Sequence, residues 1–298
     1  MIEKVVYGGW ENNVKLSNGS IELVATLDVG PRVIRFSYIG GPNVMKEYPE
    51  QLGGRNESEW MIRGGHRLWL APEAKPRSYA PDNAPVQFKK IGEFGMRLTP
   101  IPEAATGVQK QMNISMAANE DLVTITHRLT NIGPWAIELA LWAPTVMDAG
   151  GMVIVPLPEK QPHTEVVTPD FPLVLWPYSD MSDSRIHWGS RYITMTQDTT
   201  KGPNKFGLAL ELGWAAYQVH DVLFVKYFDF DPGEAYPDFG CNFQTFTNEE
   251  MLEVESLGPL TLLEPGDTVE HDETWRLFPN VPRATSEDEI DRLVRPLA

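Results

Sequence analysis

Cysteine is almost absent. Cys241 is the only one in 298 residues, so no intrachain disulfide can form and no cysteine cluster can hold zinc or iron. Basic residues are scarce too: 25 Lys and Arg stand against 41 Asp and Glu, a formal net charge of -16. That sign repels phosphate backbones and anionic lipid alike, which argues against nucleic acid and membrane surfaces as partners. Long apolar runs are missing, since nothing approaches the roughly 20 consecutive apolar residues of a bilayer span. The opening MIEKVVYGGWENN lacks the basic and then apolar order of a secretory signal, so the expected location is cytoplasmic. Neither a Gly-x-Ser-x-Gly elbow nor a Gly-x-x-x-x-Gly-Lys-Ser/Thr phosphate cradle occurs. The six histidines (His66, His127, His163, His187, His220 and His271) include no pair at the spacing of a local zinc motif, so no metal and no cofactor is expected.

What the chain does have is alternation. Hydrophobic residues make up 42% and charged residues 22%, proportions that suit a globular protein with one large core. Apolar and polar residues alternate over short runs such as Ile21 to Leu27, Arg32 to Tyr38, Leu122 to Thr130, Ile137 to Trp142, Val222 to Phe228 and Val269 to Phe278, the period of half-buried antiparallel strands. The 24 Gly and 25 Pro fall mainly between these runs, where they turn the chain and stop ladder pairing. Only one segment reads as a helix. Ser286 followed by Glu289 fits a capping box, and Ile290, Leu293 and Val294 give an apolar stripe. With no repeat of fixed period and no Ser- or Gly-rich linker, residues 1–298 are expected to form a single all-β domain, a sandwich of many antiparallel strands with a short C-terminal helix.

Residues 53 to 85 and 229 to 249 depart from the pattern. Both are long, rich in Pro and Gly, and dense in aromatic and charged side chains; loops of that length in a compact domain usually carry function. Rings beside Asn, Asp, Glu and Arg suit a sugar, whose C–H faces stack while its hydroxyls need donors and acceptors. The plainer alternative is that nine Trp and their neighbours only fill and cap a large sandwich.

Met251-Leu252-Glu253-Val254-Glu255-Ser256 is the most informative run, because alternation puts Leu252 and Val254 on one face and Glu253 and Glu255 on the other. Two carboxyls sharing a pocket face would repel, lifting at least one into the range of a general base. On an exposed face they would merely be solvated glutamates. In Arg63-Gly64-Gly65-His66-Arg67-Leu68-Trp69, the glycine pair permits a sharp turn that presents His66 as a candidate proton donor, with Arg63 or Arg67 for a carboxylate or a polarised oxygen. A structural ion-pair cluster with Glu59 and Glu73 is the other reading. His127 reads as a satisfied strand histidine, His271 as part of an exposed edge, and Cys241 as a small packed residue.

Several stretches together resemble the galactose mutarotase-like superfamily, which includes the aldose 1-epimerases: Gly30-Pro31-Arg32-Val33-Ile34, Leu129-Thr130-Asn131-Ile132-Gly133-Pro134-Trp135, Leu252-Glu253-Val254-Glu255, and Leu263-Glu264-Pro265-Gly266-Asp267. The resemblance spans the whole chain and implies one large β-supersandwich. Gly64 to Trp69, Tyr236 to Phe243 and Glu255 to Pro259 are similar to signatures of a bacterial branch of that superfamily, for which the fold and a sugar-like pocket are implied but no particular reaction.

In mutarotases a glutamate takes the proton of the anomeric hydroxyl while a histidine protonates the ring oxygen. By this resemblance Glu253, or Glu255 if the alignment slips by two, is the base. Leu141-Trp142-Ala143-Pro144-Thr145 replaces the family's His-x-Tyr-Phe-Asn stretch, so Trp142 stands at the usual acid position and His66 becomes the candidate acid. The expectation is an aldose 1-epimerase-like isomerase acting on a free sugar or sugar acid, with Arg63, Arg67, Trp69, Glu73, Trp142, Asp238 and Asn242 around the ligand. The alternatives are a non-catalytic carbohydrate-binding protein or a glycoside lyase or hydrolase. The expected partner is a small carbohydrate; oligomeric state is not legible.

Overall fold

The computed structural model describes residues 1–298. Two antiparallel sheets account for nearly all regular structure. The larger runs, edge to edge, through Ile2–Tyr7, Trp10–Ser17, Ile21–Thr26, Arg32–Tyr38, Gly65–Arg67, Ile137–Met147, Leu252–Leu257, Phe243–Thr247, Asn204–Leu208 and Leu173–Leu175, and Trp69–Ala71 and Thr261–Leu263 also pair with Ile137–Met147. The second runs through Ile186–Trp188, Tyr192–Thr196, Met152–Pro156, Trp214–Val219, Val222–Phe228, Thr268–Pro279, Leu122–Asn131, Val108–Met116, Gly95–Thr99 and Gln87–Ile91.

The inward faces of both sheets meet in one apolar cluster of 45 buried residues, among them Leu252 and Val254 from one sheet and Phe224 and Trp275 from the other. Each large apolar side chain buried there stabilises the fold by roughly 1.5–3 kcal/mol relative to exposure. No helix is long and apolar enough to cross a membrane. The C-terminal helix is Glu287–Leu293, and the Ser286 side chain accepts from the Glu289 N–H at 3.3 Å. Glu289 reaches one residue further back than a standard capping box, to the Thr285 N–H at 2.8 Å.

Three expectations need correction. Neither long loop is all loop: Phe243–Thr247, at the end of 229–249, is a strand of the larger sheet, and Gly65–Arg67 and Trp69–Ala71 are short strands inside 53–85. Gly64 and Gly65 have φ of +87° and +70°, and a Cβ on them would lie 2.0 Å from the Lys46 carbonyl oxygen and 2.1 Å from that of Val33. Only glycine therefore lets this strand slot between Arg32–Tyr38 and Ile137–Met147. His271 is likewise not on an exposed edge: its strand lies between Val222–Phe228 and Leu122–Asn131, and its side chain is buried.

Candidate active site

The centre of the larger sheet carries two different chemistries on its two faces. On the face away from the second sheet, Glu253 and Glu255 project side by side from Leu252–Leu257, as their two-residue spacing requires. The flanking strands supply the rest of that face: Trp142 and Pro144 from one side, Gln244 and Phe246 from the other, by the pairings Trp142 to Leu257, Pro144 to Glu255, Gln244 to Glu255 and Phe246 to Glu253. Arg67 and Trp69 arrive from the two short strands that pair with Ile137–Met147.

Glu255 is fully buried. The Trp142 indole N–H donates to its Oε2 at 2.6 Å, and Lys205 Nζ stands 3.6 Å from the same oxygen. The ammonium of Lys205 is held between rings, 5.0 Å from the centre of Trp142 and 4.5 Å from that of Trp176, a cation–π arrangement that keeps it beside the carboxyl. Burial raises the Glu255 carboxyl, Lys205 pulls it back, Glu253 pushes it up again, and the outcome is about 7. A carboxyl so placed is part ionised at neutral pH, as a general base requires.

Glu253 sits against Arg67, with Nη1 to Oε1 2.9 Å. The approach is off-axis, so neither atom has a hydrogen-bond partner. The Arg67 guanidinium lies 4.3 Å from the centre of Trp69 and 5.3 Å from that of Trp60, and Trp60, Trp69, Tyr79 and Trp142 form a continuous set of edge-to-face rings. Glu255 Oε1, Gln244 Oε1, the Tyr48 hydroxyl and the Trp60 indole N–H also have no partner in the protein. Unpaired buried polar atoms are costly. These atoms lie beside the aromatic rings of this site, donors and acceptors without partners in the protein.

The opposite face is a closed interior network. His66 points from the short strand into the space between the sheets, where it is fully buried. His127 Nδ1 faces the His271 carbonyl at 3.0 Å, which can only accept, so Nδ1 carries the proton and Nε2 accepts from His66 Nε2 at 2.7 Å. His66 Nδ1 then accepts from the Thr145 hydroxyl at 2.9 Å. Glu273 takes the Lys226 ammonium at 2.7 Å, the Trp275 indole N–H at 2.8 Å and the Ser256 hydroxyl, which in turn accepts from His271 Nε2 at 2.6 Å. Burial lowers His66, His127 and His271, the last to about 3, so all three are neutral at ordinary pH.

Nitrogens of His66 and His127 and an oxygen of Glu273 lie within 4.8 Å of one another, a donor set that could hold a cation. The residues do not fit one. Lys226 already neutralises Glu273, and a divalent ion would add two uncompensated charges to a buried site.

Of the residues expected at the site, Glu253, Glu255, Arg67, Trp69 and Trp142 converge. Asp238 stands beside them, accepting from Gln244 Nε2 at 2.6 Å. Glu73 is exposed and accepts from the Tyr79 hydroxyl. Arg63, His66 and Asn242 are directed elsewhere. Arg63 is fully buried, donating to Glu57 at 2.6 Å and Asn83 at 3.0 Å, so its ion pair is with Glu57, while Arg67 pairs with Glu253; neither Glu59 nor Glu73 is a partner. Asn242 ties down the backbone of Leu210 through its N–H at 2.6 Å and its carbonyl at 3.2 Å. Cys241 is packed, its thiol facing the Asp238 carbonyl at 3.2 Å.

Sequence reading missed Lys205, Gln244 and Lys226. Only Lys226 carried a signal: a lysine in the otherwise apolar run Val222–Phe228 must either be exposed or have a buried partner, whereas Lys205 and Gln244 stand in mixed runs that give no such contrast.

Against known proteins, no family model and no curated sequence matches the chain. Solved structures do. A galactose mutarotase-like protein from Clostridium acetobutylicum superposes with a TM-score of 0.58 at 8% identity, covering 94% of this chain and 98% of that one. One from Lactobacillus casei gives 0.57 at 10%, covering 90% and 100%. A candidate aldose 1-epimerase from Escherichia coli gives 0.56 at 12%, covering 89% and 98%. At these identities the likeness establishes a shared fold.

Proposed function

We propose, taking the galactose mutarotase-like fold as the premise, that the chain is an aldose 1-epimerase-like isomerase acting on a free sugar or sugar acid, with Glu255 as the general base. The observation that carries this reading is the buried Glu255 carboxyl, raised to about 7 beside Glu253 and walled by Trp142, Trp69 and Trp60. Glu255 removes the proton from the anomeric hydroxyl, the ring oxygen takes a proton, and the bond from C1 to the ring oxygen breaks to give the open-chain aldehyde. Rotation about C1–C2 and the reverse proton transfers reclose the ring as the other anomer.

The donor to the ring oxygen in this reading is the Lys205 ammonium, 3.6 Å from the base. It replaces His66, which faces the interior. Glu253 and Arg67 act on binding: Arg67 offers two guanidinium nitrogens without partners, suited to a hydroxyl or carboxylate of the substrate.

Two-dimensional exchange NMR on anomer mixtures of free aldoses and uronic acids tests the assignment. The expected result is faster interconversion with at least one sugar, reduced at least 100-fold by Glu255→Gln, a typical weight for a general base. One observation favours a second reading, that of a carbohydrate-binding protein without turnover: no histidine is hydrogen-bonded or ion-paired to either glutamate. Sugars that raise the melting temperature while none is interconverted would select it.

A further inference from the structure

We propose that Lys226 is a positioning residue that clamps, from inside the sandwich, the two strands that hold Trp142 and Glu255 together on the opposite face. The three protons of its ammonium have three acceptors: Glu273 Oε1 at 2.7 Å, the Ala143 carbonyl at 3.0 Å and the Val254 carbonyl at 3.1 Å. Ala143 directly follows Trp142. Val254 lies between Glu253 and Glu255. One buried cation thus bridges the backbones of Ile137–Met147 and Leu252–Leu257 at the point where the indole of one meets the carboxyl of the other.

The ladder explains where it acts. Leu141 accepts from the Gly258 N–H, whereas Val146 accepts from Lys46 and the Leu257 N–H goes to Asn242; by alternation Ala143 and Val254 turn their backbone groups into the shared seam, and Pro144 and Glu255 form a pair without ladder bonds between them. Pro144, which has no N–H, turns that gap to the other side of its strand, and Lys226 adds a hydrogen bond to a seam carbonyl of each strand, on either side of the Pro144 and Glu255 pair. Its charge is what makes the arrangement specific: a buried ammonium is tolerated only with all its donors used and a counter-charge present, and Glu273 is fixed in turn by Trp275 and Ser256. Ser256 adjoins Glu255 in sequence, so the network grips the catalytic strand on both sides of Glu255, at Val254 and at Ser256.

The effect on turnover rests on the reading of Glu255 as the base; the clamp itself does not. The test therefore follows the Trp142 indole N–H in a ¹H–¹⁵N spectrum, assigned by its loss in Trp142→Phe, across a pH titration. In the native protein this signal is expected downfield, with a titration midpoint near 7 as Glu255 ionises. Lys226→Met/Glu273→Gln removes both charges together and so leaves no unpaired ion. The expected result in this variant is a signal moved towards free indole, with its pH response cut by more than half. If the isomerase reading also holds, kcat falls at least 10-fold while KM stays within threefold.

A folded double variant with an unchanged Trp142 titration would overturn the proposal. Should the variant not fold, the wild-type Lys226 ammonium decides: protons held by three acceptors exchange slowly with solvent, and fast exchange would equally overturn it. A native protein that shows the titration but interconverts no sugar leaves the clamp standing and removes the isomerase reading.

Discussion

The indole of Trp142 donates to the carboxyl of Glu255 across the seam between two neighbouring strands, at 2.6 Å. This bond stabilises the ionised form, whereas burial and Glu253 oppose it, so the carboxyl is balanced between two charge states. Lys205 is the largest stabiliser of the anion, ahead of Arg67 and Trp142. Its removal shifts that balance in a direction that can be stated: Lys205→Met is expected to move the acidic limb of the pH–activity profile, where Glu255 ionises, upwards by about one unit. Under the assignment above it also costs the acid step at all pH values. An unshifted limb in an active Lys205→Met would show that the ammonium does not act on Glu255.

Glu253 is expected to behave differently from Glu255 although the two share a strand face. Its carboxyl faces Arg67 rather than Lys205. Glu253→Gln leaves the Trp142 and Lys205 contacts of the base in place but removes the charge that raises it, so the Glu255 carboxyl falls; at pH 8, where the base is mostly ionised in both proteins, the expected change is in KM, about 10-fold, with kcat within a few-fold, because uniform binding is lost and not transition-state stabilisation. Steady-state kinetics of the two variants on one substrate checks the division. Equal losses of kcat in both would mean that the glutamates act as a single coupled pair.

Much of this architecture was legible because period-two alternation is a strong signal. It placed Glu253 and Glu255 opposite Leu252 and Val254, and the core confirms that Leu252 and Val254 point inward. The same rule, applied within Gly65–Arg67, separates His66 from Arg67: one points into the core and the other onto the face that carries Glu253. In a region expected to be loop there is no alternation to apply, so nothing in the run itself sets His66 against Arg67. The partners of Lys205 and Lys226 were illegible for another reason. Each lysine is defined by a partner far along the chain, Glu255 and Glu273 respectively, and local pattern carries no information on pairings that only the sheet order brings together.

Gly65→Ala should be severe. The residue has φ of +70°, and the new methyl group would meet the Val33 carbonyl oxygen at 2.1 Å; neither backbone can yield without breaking the pairing of Arg32–Tyr38 with Gly65–Arg67. The expected cost is about 3 kcal/mol or more, from backbone strain and a clash together. Thermal unfolding should show a large fall in melting temperature, or no folded protein. A melting temperature within 2–4 °C of wild type, the shift expected for roughly 1 kcal/mol in a chain of this size, would show that the short strand is not held as described.

Stability should depend on pH in two opposite senses, because the buried groups are shifted in opposite directions. His66, His127 and His271 are lowered by burial. Their contribution is fully present above the unfolded value of about 6.5 and is lost as pH falls towards the folded values, with up to three protons taken up on unfolding. Glu255 is raised to about 7, so what it contributes is fully present below its unfolded value of about 4.3 and is lost as the pH rises through 7. Glu255→Gln removes only the second dependence. The variant should therefore melt above wild type at pH 8, by a margin equivalent to about 2 kcal/mol once the loss of its Lys205 contact is allowed for. At pH 5 the margin should shrink to nothing or reverse, while the acid limb set by the histidines stays in place. Melting curves of the two proteins at both pH values decide it, and a constant difference across the range would mean that the Glu255 carboxyl is not raised in the folded protein.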